Sequence, residues 1–217
     1  MSQSESIEMF RDSARGFLRA TDQRQRVRQL EEAGGGFDRA TWRQIADLGW
    51  LSILVSENEG GLELGIAEVC AIAGEVGREL LPEPYLDAGV HPVALLSCLA
   101  SSKQRDELLA GIMTGKTLAG VAWQESAGEI EAGNGLASVL QVGSALRLSG
   151  YKRFVRPGSG ADGWIVSANV NDQPALVWVN STAVGLKVDN ETGVDGSITA
   201  TLHFNDAAAS LLEQGDA

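Results

Sequence analysis

The spacing of apolar residues changes once along this chain, near residue 118, and that change limits what the chain can fold into. Before it, apolar side chains recur every three or four residues. Ile7, Phe10, Ala14, Phe17 and Leu18 form one run, Trp42, Ile45 and Leu48 a second, and Ile66, Val69, Cys70, Ala73, Val76 and Leu80 a third. That is the spacing of one face of a helix. After it the period drops to two: Ile198, Ala200, Leu202 and Phe204 alternate with Thr199, Thr201 and His203, as side chains do on a strand. Leu136 to Leu148, Trp164 to Ala168 and Ala175 to Val179 are further short β-prone runs. They are separated by Gly133-Asn134-Gly135, Asn171-Asp172 and Asp195-Gly196, residues suited to tight turns. The pattern predicts an α+β chain, with a helical domain at residues 1–117 and a small antiparallel β-sandwich or barrel domain at residues 118–217.

Local punctuation refines the helical half. Gly34-Gly35-Gly36 breaks the chain, Asp38 is placed to cap the helix carrying Trp42, and Gly49 stands at its end. Pro82 and Pro84 close the third helix, and a fourth is expected over Leu86 to Leu99. Ser101 and Gln104 have capping-box spacing. They open a helix with Leu108, Leu109, Ile112 and Met113 inward, which Gly115 stops.

Charge narrows the choice of partners. The chain has 17 Lys+Arg against 29 Asp+Glu, a net charge of −12. Such a surface repels nucleic-acid phosphates and anionic lipid, so neither nucleic acid nor a membrane is an expected partner. Met1 to Glu8 lack the apolar core of a secretory leader, and no apolar run is long enough to span a bilayer, which makes the cytoplasm the expected location. Cys70 and Cys98 fall in apolar helical runs and are expected to be buried, reduced thiols rather than a disulfide or a zinc site.

The residues alone carry little chemistry. There is no Gly-x-Ser-x-Gly elbow, no Walker loop and no His-Glu-x-x-His, and His91 and His203 fall in different predicted domains. Trp42, Trp50, Trp164 and Trp178 read as core. Trp123, within Ala122-Trp123-Gln124-Glu125-Ser126, is placed either to pack or to face a planar ligand. Lys152-Arg153-Phe154-Val155-Arg156 puts three cations into five residues. Composition favours a charged strand edge over a local anion site.

A resemblance goes further. The segment Phe37 to Leu51, with Glu59-Gly60-Gly61-Leu62 after it, resembles the acyl-CoA dehydrogenase family. So does the helix from Ser102-Lys103-Gln104 to Gly115-Lys116. Gly120-Val121-Ala122-Trp123-Gln124-Glu125 stands where that family has its Thr-Glu-Pro strand. Gly150-Tyr151-Lys152-Arg153-Phe154-Val155 followed by Gly160-Ala161-Asp162 is similar to its Gly-x-Lys-x-Trp-Ile-Thr-Asn…Ala-Asp, and Gly185-Leu186 and Thr201-Leu202-His203-Phe204 match later strands.

The resemblance implies FAD bound between the β domain and a following helical domain, and an acyl-CoA substrate oxidised to a trans-enoyl-CoA. It implies that Trp123, Gln124 and Glu125 lie on the flavin-facing strand, with Gln124 in the place of the flavin-contacting Thr. Phe154 takes the place of the Trp against the flavin ring, Val155 follows it, and Arg156 takes the place of the Thr near flavin N5. Glu129 stands near the substrate-holding Ser. Ser126 replaces the Pro of Thr-Glu-Pro, and Arg156-Pro157 replaces Thr-Asn. The chain ends at Ala217, before the part of the family's fold that carries the catalytic base, so no catalytic residue is assigned. A homo- or hetero-oligomer in which another chain supplies the helical C-terminal domain is therefore expected. The alternative is a non-catalytic partner subunit, or an acyl-CoA- or flavin-binding module of a heteromeric dehydrogenase.

Overall fold

A computed structural model of the chain describes residues 2–20, 22–130 and 135–214. Among these described residues, six α-helices precede seven strands. The helices are α1 (Gln3–Arg19), α2 (Gln23–Glu32), α3 (Arg39–Asp47), α4 (Ile66–Glu79), α5 (His91–Cys98) and α6 (Lys103–Met113). The strands are β1 (Ala119–Ala122), β2 (Ser138–Val142), β3 (Ala145–Val155), β4 (Gly163–Val170), β5 (Gln173–Asn180), β6 (Leu186–Thr192) and β7 (Ile198–Gln214).

Helix ends follow local chemistry. Asp38 accepts from the Ala40 and Thr41 amides at the start of α3, and Gly49 beyond its end has φ +78°, a left-handed conformation that glycine adopts without a Cβ penalty. At α6 the cap is Ser102, which accepts from the Arg105 amide. Ser101 instead donates to Asp106, so the helix starts one residue later than the capping-box reading. The expected fourth helix begins as a π-helical turn, Tyr85–Val90, that runs into α5. α2 was not foreseen: its sequence holds only Val27 and Leu30 as apolar residues, so it has almost no apolar period to read.

Both cysteines are exposed, against the expectation of burial. The α1–α4 contact admits acids in place of the Cys70 side: Glu68 accepts from Ser6 Oγ, and Glu75 pairs with Arg15 at 3.1 Å. A carboxylate can be buried where a partner offsets part of its desolvation, so apolar period alone misjudges which side of α4 faces in.

The strands close on one another. β4 pairs with β2, β2 with β3, β3 with β7, β7 with β5 and β5 with β4, giving a barrel-like sheet; β1 joins β4 beyond β2, and β6 joins β7. The pairings that β4 makes with β1 and β2 are parallel and the others antiparallel. The fold is thus the expected α+β order of helices followed by a small barrel. One core cluster runs through both halves, from Phe10, Leu18, Trp42 and Trp50 to Trp164, Val177 and Leu202. Arg39 staples α3 to the barrel: its guanidinium meets both Asp162 carboxylate oxygens at 2.8 and 2.9 Å, and the Leu118 amide donates to the same carboxylate at 2.7 Å. Among the described residues no helix is long and apolar enough to cross a membrane.

Candidate functional site

The segment after β1 runs antiparallel to the end of β3. Val121 bridges Arg156, and the Arg153 amide donates to the Gln124 carbonyl at 2.7 Å. The same register sets Trp123 across from Phe154. The two stretches that the resemblance singles out, 123–125 and 154–156, are therefore neighbours: the first continues from β1 alongside the end of β3.

A bulge decides which side chains face out. Against β7, Lys152 pairs with Leu202 and Val155 with Ala200, so Arg153 and Phe154 share a single partner position. Phe154 has φ +57°, a rare conformation for a bulky residue and one held only where the surroundings enforce it. Bulges re-aim side chains and gather near active sites. Here Arg153 and Phe154 both point outward while Lys152 and Val155 are buried. Phe154 is 44% exposed, and the Arg153 guanidinium lies 4.9 Å from its ring centroid. The expected strand edge of three cations is thus corrected: Arg153 and Arg156 are exposed, but Lys152 is completely buried.

Behind this bulge lies a charged cluster. Lys152 Nζ donates to Glu125 Oε1 at 2.8 Å, to the Trp123 carbonyl at 3.0 Å and to Ser167 Oγ at 3.1 Å. Glu125 also accepts from the backbone amides of Leu136 at 2.7 Å and Ala137 at 3.0 Å. Burial raises the Glu125 carboxyl's pKa. The hydrogen bonds from Lys152, Leu136 and Ala137 together outweigh burial and hold it below the ordinary glutamate range. Gly135 covers the pair so closely that a Cβ there would sit 2.6 Å from Glu125 Oε1. Sequence reasoning missed this cluster, although strand alternation from the buried Leu148 already put Lys152 on the inner face.

Glu129 folds back on its own loop. Its Oε2 accepts from the Glu125 amide at 2.6 Å and the Ser126 amide at 3.2 Å, and its carbonyl accepts from Gln124 Nε2 at 3.2 Å. Arg156 stands at the mouth of a groove of about 460 Å³, 3.8 Å from Asp87 on the π-helical turn. Val27, Leu30, Leu81, Leu86 and Ile198 give the groove its apolar lining, in the size range of small-molecule sites. Among the described residues no cluster of His, Cys, Asp or Glu is arranged to hold a metal.

The residues present fit a flavin along one wall. Phe154 is a part-exposed aromatic ring that carries the Arg153 guanidinium over it, Trp123 stands across from it half-buried, and Arg156 is a further exposed cation nearby in sequence in an acidic chain.

A helical bundle joined to a small barrel, with an aromatic and cationic wall on the barrel's rim, defines the class of protein. Residues 4–116 match the profile described as acyl-CoA dehydrogenase, N-terminal domain. Acyl-CoA dehydrogenase FadE27 of Mycobacterium tuberculosis is 28% identical over 161 residues, covering 74% of this chain and 42% of that protein. The solved structure described as the Tcur3481-Tcur3483 steroid ACAD G363A variant has a TM-score of 0.84 at 26% identity, over 99% of this chain and 58% of that one. The ChsE4-ChsE5 complex from Mycobacterium tuberculosis has a TM-score of 0.80 at 25% identity, over 96% and 56%. An acyl-CoA dehydrogenase from Bacillus anthracis complexed with FAD shares the fold, with a TM-score of 0.79, 23% identity and coverage of 99% and 38%. This chain belongs to the acyl-CoA dehydrogenase family. It spans less than half the length of the curated relatives it matches.

Proposed function

We propose that this chain supplies the helical and barrel parts of an FAD-dependent acyl-CoA dehydrogenase, divided near residues 117 and 118, that turns an acyl-CoA thioester into a trans-enoyl-CoA. The observation that carries the reading is the β3 bulge, which turns Phe154 outward, across from Trp123, at a strained backbone angle. In this reading Phe154 lies against the flavin ring, Trp123 and Gln124 line its edge, and Arg156 places a cation where negative charge develops on reduction. Glu125 and Val155, both buried, act from behind the wall. Glu129 shapes the loop near the thioester through the Glu125 and Ser126 amides.

Bound FAD would accept the hydride from the substrate's β-carbon. The α-proton would pass to a base on the helical C-terminal domain that the resemblance implies. The groove beside Arg156 would take the acyl group. Its apolar lining and the relatives described as a steroid enzyme favour a bulky acyl group over a short one. Support for FAD comes from the family and from the wall's geometry.

A second reading follows from the Arg156–Asp87 pair at the groove mouth, which puts a bulky cation at the place where the resemblance expects a Thr. The chain would then be a non-catalytic subunit paired with an active one, as relatives solved as a two-protein complex suggest. Purification of the protein with whatever chain accompanies it separates the readings. Flavin absorbance that bleaches on acyl-CoA addition, and that F154A removes, supports the first. A flavin retained in F154A and carried wholly by a second chain supports the second.

A further inference from the structure

The Lys152–Glu125 pair poses an energetic question. Two charges taken fully out of water repay their desolvation only with several well-made hydrogen bonds, and apolar residues of the same size are often as stabilising. Stability alone therefore does not explain the pair. Its connections do. Lys152 on β3 holds the Trp123 carbonyl, Glu125 and Ser167 on β4, while Glu125 holds the amides of Leu136 and Ala137. Asn169 on β4 closes the ring, donating to the Gly135 carbonyl at 2.7 Å and, through its amide, to the Ala137 carbonyl at 2.9 Å. Four separate stretches of chain meet at this point. β1 ends at Ala122, so Trp123 to Glu125 lie beyond its ladder; besides the Arg153–Gln124 backbone bond and the Glu129 contacts from their own loop, it is this cluster that ties them to β3 and β4.

We infer that Lys152 and Glu125 are positioning residues that hold the Trp123–Glu125 segment in register against the Arg153–Phe154 bulge, forming the outer wall before any ligand arrives. The pair lies immediately behind the bulge, because Lys152 is its first flanking residue and Val155 its second. It is directional. A carboxylate is needed at position 125 to accept from two backbone amides, and a cation at 152 to donate to a carbonyl, so exchanging the two residues does not restore the arrangement. The structural claim stands on this chain alone. Its consequence for flavin rests on the function proposed above.

The test is peptide-resolved hydrogen exchange on the 217-residue chain, comparing wild type, E125Q, K152M and the exchanged variant E125K/K152E. E125Q keeps the side chain's shape and one acceptor and is the variant expected to fold if K152M does not. Amides of residues 122–126 and 135–139 are expected to exchange about tenfold faster in E125Q, with α4 and the β4–β5 ladder unchanged, since local openings draw on local contacts. The exchanged variant is expected to lose protection in the same two stretches. A uniform rise in exchange throughout the chain would show a merely stabilising pair and overturn the inference. So would unchanged exchange at 122–126, or wild-type protection in E125K/K152E. FAD titration of the same proteins separates the two claims. Wild type that binds no FAD defeats the flavin reading and leaves the exchange result to decide the pair. Wild type that binds FAD while E125Q binds equally well defeats the positioning role.

Discussion

The two sides of the Lys152–Arg156 segment spend the same kind of charge differently. On the inner side, Lys152 is fully buried and satisfied by three oxygen partners. On the outer side, Arg153 and Arg156 keep most of their hydrogen-bonding capacity free for solvent or ligand, and Arg156 meets Asp87 at 3.8 Å with both side chains more than 40% exposed. One inserted residue in β3 separates the two sides. The difference teaches that a cationic run is no single feature: its members are sorted by strand alternation and by the bulge into structure and surface.

Substitutions on the two sides should differ sharply in cost. The largest effect is expected for K152M, which leaves the Glu125 carboxylate buried and unpaired, a loss of about 3–5 kcal/mol measurable by urea denaturation. Next is Gly135→Ala. Its Cβ would lie 2.6 Å from Glu125 Oε1 and 2.9 Å from Lys152 Nζ, and such overpacking costs about 1–3 kcal/mol in the same assay.

The pair's contribution also depends on pH. Glu125 titrates below its ordinary value of 4.5 in the folded chain, so the unfolded chain takes up the proton first as pH falls. The stability it confers is complete above 4.5 and is lost as pH falls through the depressed folded value. A stability–pH profile for E125Q should be flatter than wild type below pH 4.5, and parallel profiles would contradict the assigned pairing. The smallest effect belongs to the outer side. D87N, which breaks the exposed pair with Arg156, should change stability by no more than about 0.5 kcal/mol, and a larger change would show that the outer side is structural too.

The fold was largely legible because its helices and strands advertise themselves. The apolar period of α1 and α3, the Asp38 cap and the alternation in β7 are local signals that the structure repeats. α2 was illegible because its interior contacts are few and its surface polar. The outward face of Cys70 was hidden because Glu68 and Glu75 take inward places that hydropathy reserves for apolar side chains. At the site, residues 123–125 and 154–156 were singled out through resemblance, and the structure sets them side by side. The bulge was unreadable: Arg153 and Phe154 carry no glycine or proline to mark it, and it exists only against β7, some fifty residues later in the chain. The buried pair was unreadable for the same reason, since Glu125 and Lys152 meet only once β1 lies beside β3.

The central claim is that the outward rim around Phe154 and Gln124 is a wall for the flavin ring. It is tested most directly by titrating FAD into the protein, following flavin fluorescence, for wild type, F154A and V142S. Val142 is 62% exposed on β2 and serves as a surface control away from the segment 153–156. F154A is expected to weaken binding about tenfold, the value of one aromatic stacking contact, with V142S matching wild type. Equal affinity in F154A and wild type, or no FAD binding by any of the three, would contradict the claim.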